Sequence, residues 1–187
     1  MSSKTRLRTI ALTAVMTALY IVLDRYLAII PSTAGTAIKI TFAVIPLMLC
    51  GYLFGPVAGG ACGLAADIIG SFLSGFAPNP LLALKPMMLG LIPGVLAVLY
   101  SKGKLPFDPT KPIAVIATVI VSEFFMSALW ATYCLSMMFG APFAAQLASR
   151  VPAILIAMVI DSVGVSLLLR SKQIRRFGAF NQKHSGK

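Results

Sequence analysis

Acidic residues are scarce in this chain: five Asp and Glu stand against sixteen Lys and Arg in 187 residues. Histidine occurs once, as His184 in a polar stretch, which excludes a histidine-based metal centre or catalytic dyad. The three cysteines, Cys50, Cys62 and Cys134, lie in apolar runs with no C-x-x-C spacing. They read as small buried hydrophobes rather than a disulfide or metal set. There is no Walker motif, so any use of ATP must come from partners. Nothing in the sequence calls for a cofactor.

What is abundant is apolar surface. The chain is 58% hydrophobic and 11% charged, with mean hydropathy +0.91. A soluble domain of this length could not cover so much apolar area with so few charges. A helix crosses a bilayer with about 20 apolar residues, and up to six such segments fit. The expected fold is all-α and integral to a membrane: a six-transmembrane-helix bundle. One membrane-embedded domain would span 1–170, followed by a basic cytoplasmic tail over 171–187. The net charge of +11 does not imply nucleic acid, because the basic residues form no patch on a soluble surface. Their partner is the lipid bilayer, with its anionic headgroups.

Apolar runs are read at about 7–30, 42–54, 56–74, 80–100, 111–138 and 143–169. Pro31 closes the first, and a polar loop, Ser32 to Ala37, leads into a short stretch of extended character from Lys39 to Phe42. Pro56 and Pro80 stand at first-turn positions, the latter after an Asn79 N-cap. Lys4, Arg6 and Arg8 precede the first run like the n-region of a signal peptide. The rest of the chain is equally apolar, so an uncleaved first span is expected. Three basic residues before the first run, three between the fourth and fifth, and six after the sixth place twelve of the sixteen on one side. The positive-inside rule makes that side the cytoplasm, with both termini there.

Arg25, Lys39, Lys85 and Arg150 depart from this pattern and fall in or near the outward half. A Lys or Arg at the bilayer centre costs about 2.5–3.5 kcal/mol on insertion scales, so such residues tend to line functional sites. Four of them suggest a pocket for an anion arriving from outside, with the outward helix N-termini adding favourable dipoles. Arg25 and Lys39 are equally able to snorkel to headgroups, and Asp67 is placed to neutralise Lys85. Tyr26 and Phe76 lie at the same level, as belt residues or as faces for a flat ligand. With Asn79 at the head of the fourth run, the candidate binding set is Arg25, Tyr26, Lys39, Phe76, Asn79, Lys85 and Arg150. Ala11, Ala14 and Ala18 make a small-residue face on the first helix, suited to close docking of a partner. Gly59 and Gly63 make another, read as internal packing.

The stretch Ile10–Leu19, then Leu23-Asp24-Arg25-Tyr26-Leu27, resembles the first helix of the substrate-binding S components of energy-coupling factor (ECF) vitamin transporters. The runs Gly51-Tyr52-Leu53-Phe54-Gly55-Pro56 and Gly90-Leu91-Ile92-Pro93-Gly94 are most similar to its folate branch (FolT-like). The resemblance covers about 10–100. It implies a six-helix, multi-pass subunit of the bacterial cytoplasmic membrane, not an enzyme, which captures a vitamin outside the cell. Its partners would be a transmembrane coupling protein and two ATPase subunits. Ala14 and Ala18 resemble the family's A-x-x-x-A pattern, which contacts the coupling protein, and Arg25 matches the Arg of its L-S-R-F-L motif. Pro78-Asn79-Pro80-Leu81-Leu82 departs from the folate branch's more aromatic loop. Folate is therefore the first expectation, with another anionic vitamin such as pantothenate as the alternative. Two other readings stay open: a stand-alone small-anion carrier, and an intramembrane enzyme using Glu123 and Asp161. Each of those acids reads more simply as a helix–helix hydrogen-bonding group.

Overall fold

The computed structural model describes residues 3–27, 32–33, 36–37, 41–140 and 142–171. All six apolar runs are helical: α1 (Ser3–Arg25), α2 (Val44–Phe54), α3 (Pro56–Leu73), α4 (Pro80–Ser101), α5 (Pro112–Glu123) continuing through a π-helical segment (Phe124–Trp130) into α6 (Ala131–Phe139), and α7 (Phe143–Arg170). Among the described residues, five helical stretches are long and apolar enough to cross a membrane, α5 to α6 counting as one. The remaining helix, α2, has 11 residues. At about 1.5 Å per residue it covers only part of a core roughly 30 Å thick.

The sequence expectations for α2 to α7 hold to within a residue or two, and α1 is the exception. It stops at Arg25, short of the expected 30, because the amides of Tyr26 and Leu27 both turn back onto the Val22 carbonyl (3.0 and 3.2 Å). The polar loop that follows carries a two-residue antiparallel ladder, Ser32–Thr33 against Thr36–Ala37. This is the one departure from an all-helical chain among the described residues. The extended stretch expected from Lys39 lies partly outside the described residues, and the tail beyond 171 lies outside them entirely.

Helix ends follow local chemistry. Asn79 accepts the Leu81 amide at 2.9 Å and Pro80 opens α4. Gly55 joins α2 to α3 at φ 93°, a conformation that side chains oppose, and Pro56 takes the first turn of α3. The closest packing is between α3 and α4. A Cβ at Gly59 would run into the Gly90 carbonyl, and one at Gly63 into that of Pro86. The glycine face is therefore internal packing, as its spacing suggested.

α2 forms the centre. Leu47, Met48, Cys50 and Tyr52 are buried against Leu89, Val115, Val119 and Val165 from α4, α5 and α7. α1 lies to one side, on α2 and α3. Its inner face is joined to them by a hydroxyl–thiol seam, in which Thr17 Oγ1 reaches Cys62 Sγ at 3.3 Å and Cys50 Sγ reaches Thr13 at 3.9 Å. The cysteines are free and buried, as read from the sequence.

Candidate functional site

Arg25 sits beside Gly70, where an added Cβ would lie 2.9 Å from its Nε, and Asn79 Nδ2 is 3.2 Å from the Met138 sulfur. The ends of α1 and α3 and the start of α4 therefore lie with the end of α6, at one end of the bundle. A cavity of about 280 Å³ opens among α2, α4, α5, α6 and α7, between this end and the bundle's interior. Ligand pockets run roughly from 300 to 1,000 Å³, so this one falls just below that range.

Four charged side chains line it: Lys85 from α4, Glu123 from α5, and Arg150 and Asp161 from α7. On α7, Arg150, Ile154, Ala157 and Asp161 follow one another at spacings of four, three and four, a single helical face. On the opposite wall Ser127 and Leu135 line the cavity together. Residues eight apart on an α-helix fall about 80° out of line. The wider π turns between Phe124 and Trp130 take up that angle, a use of π geometry common at functional sites.

The two cations are held differently. Arg150 is partly buried and its Nη1 donates to Thr132 Oγ1 at 3.0 Å. Lys85 forms no ion pair within 4 Å among the described residues. The position of Lys85 is set by its helix, because Trp130 Nε1 donates to the Leu81 carbonyl at 2.8 Å and pins α4 to the π segment. Of the acids, Glu123 accepts a hydrogen bond from Ser127 through Oε2, while its Oε1 and both oxygens of Asp161 have no hydrogen-bond partner among the described residues.

Of the seven candidate binding residues, the structure brings Lys85 and Arg150 together. Arg25 is not in the lining; it pairs with its neighbour Asp24 at 3.2 Å and packs on α3. Asn79 is occupied as the α4 cap, and Tyr26 and Phe76 are exposed at the loop end. Lys39 lies outside the described residues. Glu123 and Asp161, read as helix–helix hydrogen-bonding groups, make no such bond among the described residues and line the cavity instead. Asp161 could have been found from its place on the Arg150 face. Ser127 could not, because its alignment depends on the π segment. Ala11, Ala14 and Ala18 are all exposed, on the face of α1 turned away from α2 and α3.

An apolar helical bundle around a cavity with two basic and two acidic side chains defines a polytopic membrane protein with an internal polar site. The chain belongs to the family described as ECF-type riboflavin transporter, S component, which it matches over residues 4–176. The family is one of membrane-embedded transporter components, not enzymes. The fold is similar to that of FolT bound with folic acid (TM-score 0.70, 23% identity, 92% of this chain and 95% of that one). It is also similar to the S component for biotin from an ECF-type ABC transporter (TM-score 0.56, 20% identity, 94% and 93%). No curated protein sequence matches this chain.

Proposed function

We propose that this chain is the substrate-capture subunit of an ECF-type ABC importer in a bacterial cytoplasmic membrane. In this reading α2 serves as the sixth membrane segment and both termini are cytoplasmic. The loop end of the bundle, with the cavity behind it, then faces outside. The ligand is an anionic vitamin, folate first. Its carboxylate is held by Lys85 and by Arg150, whose planar guanidinium suits bidentate contact. Tyr26, Phe76 and Lys39 belong to the entrance, while Arg25 and Asn79 shape that end of the bundle. The exposed alanine face of α1 docks on the transmembrane coupling protein, which works with two ATPase subunits.

The observation that carries this reading is the meeting of Lys85 and Arg150, sixty-five residues apart in sequence, at one cavity of an S-component family member. Supporting it for folate are the two cations and the likeness to a fold that binds folic acid. The absence of an aromatic side chain among the described lining residues favours a second reading, another anionic vitamin in the same site.

The test is calorimetry on the purified protein in detergent. Folate should bind, and Lys85→Ala or Arg150→Ala should weaken it at least about tenfold, the scale of one charge-assisted contact. Binding of folate with affinity unchanged in both variants would remove these residues from the site.

A further inference from the structure

Capture of a simple anion leaves half of the cavity's chemistry unused. Asp161 is fully buried, and neither of its carboxylate oxygens has a hydrogen-bond partner among the described residues. Glu123 is 3% exposed, with Oε2 bonded to Ser127 and Oε1 without a partner among the described residues. Both acids share the cavity with Lys85 and Arg150. Buried carboxylate oxygens without donors are costly, and a chain retains them where something else supplies the donors.

The four groups are also ordered in depth. Lys85 and Arg150 fall within the first two turns of α4 and α7, near the loop end. Asp161 is eleven residues beyond Arg150 on the same face, a rise of about 16 Å. Glu123 is sixteen residues before the end of α6, so it too lies deep. Arg150 thus lies toward the loops and the two acids toward the interior, with Lys85, one turn beyond the Leu81 carbonyl that Trp130 holds, between them.

We infer that the cavity takes a bipolar ligand. One end is a ring with adjacent N–H donors, such as a cyclic urea or the edge of an amino-substituted diazine, and it faces Asp161 and Glu123. The other end is a carboxylate held by Lys85 and Arg150. A carboxylate accepts two parallel N–H bonds from such an edge as it does from a guanidinium. This rests on the vitamin-capture reading and narrows its substrate class. Folate has a pterin edge, with a ring N–H beside an amino group, and a glutamate tail; biotin has a ureido ring and a valerate tail. Pantothenate has the carboxylate without paired ring donors. Riboflavin presents a single N–H between two carbonyls, which would face the acids with like partial charge, and it has no carboxylate.

The experiment titrates the purified full chain in detergent with folate, biotin, pantothenate and riboflavin. It uses the wild type and the variants Asp161→Asn and Glu123→Gln, each checked for monodispersity. Folate or biotin should bind in preference to the other two. Asp161→Asn should weaken that ligand at least tenfold and Glu123→Gln about threefold or more. If one acid variant fails to fold, the other carries the comparison; if both fail, the methyl esters of folate and biotin against the free acids, and N-methylated ring analogues, test the two ends on the wild type. Preference for pantothenate or riboflavin would overturn the bipolar ligand and leave vitamin capture standing. So would folate or biotin affinity indifferent to both acid variants, or to both ligand modifications. No binding of any of the four by a monodisperse wild type would overturn both.

Discussion

Arg150 of α7 donates a hydrogen bond from Nη1 to Oγ1 of Thr132 on α6, at 3.0 Å. Thr132 is fully buried, so the bond fixes one edge of the guanidinium and leaves the remaining donors for the cavity. Replacing Thr132 with Val keeps the shape and removes the acceptor. A neutral-to-charged bond of this kind is worth about 1.5–3 kcal/mol at most, and only part of it bears on ligand binding. Thr132→Val should weaken the vitamin by about threefold to fivefold, less than Arg150→Ala. Calorimetry on the two variants side by side checks the order.

The contact of α3 with α4 leaves no room for a side chain. A Cβ at Gly59 would meet the Gly90 carbonyl, backbone against backbone, with no flexible group to give way. Gly60, one residue on, has its nearest neighbour at 3.6 Å, in the side chain of Leu91. Gly59→Ala should lower stability by about 1–3 kcal/mol, the usual cost of overpacking, and Gly60→Ala should be nearly neutral. Thermal unfolding of both in the same detergent decides it.

The outer face of α1 makes a different prediction. Ala11, Ala14 and Ala18 are exposed. Ala14→Leu with Ala18→Leu should leave vitamin affinity and thermal stability unchanged. Small-residue faces bring helices close, so the same change should abolish co-purification with the transmembrane coupling protein. Retained co-purification would remove this face as the docking site.

Topology can be read with a single reactive group, since all three native cysteines are buried. Ser74→Cys, at the loop end, should react in intact cells with a reagent that does not cross the membrane. Ser101→Cys, exposed at the opposite end of α4, should react only after the cells are opened. Reversal of the pair would invert the orientation and close the cavity to the outside.

The elements most visible in the sequence are those governed by local chemistry. Pro56 and Pro80 mark helix starts because a first-turn amide has no intrahelical partner to lose. Asn79 caps α4 because its short side chain reaches the Leu81 amide. The end of α1 was less visible, because it depends on a turn onto Val22 that follows no composition signal. Among the site residues, Lys85 and Arg150 stood out by their cost in an apolar run. Arg25 carried the same cost, yet its charge is met by Asp24 next to it.

By itself the sequence determined that the chain belongs in a membrane, where its helices begin, and that cations within apolar runs need an explanation. These follow from transfer energies and from contacts within a few residues, which composition and spacing record. Which charges share a cavity was decided only by the tertiary structure. The convergence of Lys85, Glu123, Arg150 and Asp161 depends on how α4, α5 and α7 pack around α2, and on a π segment that turns one wall into register. Those are relations between distant segments, and a periodic pattern within one segment carries no record of them.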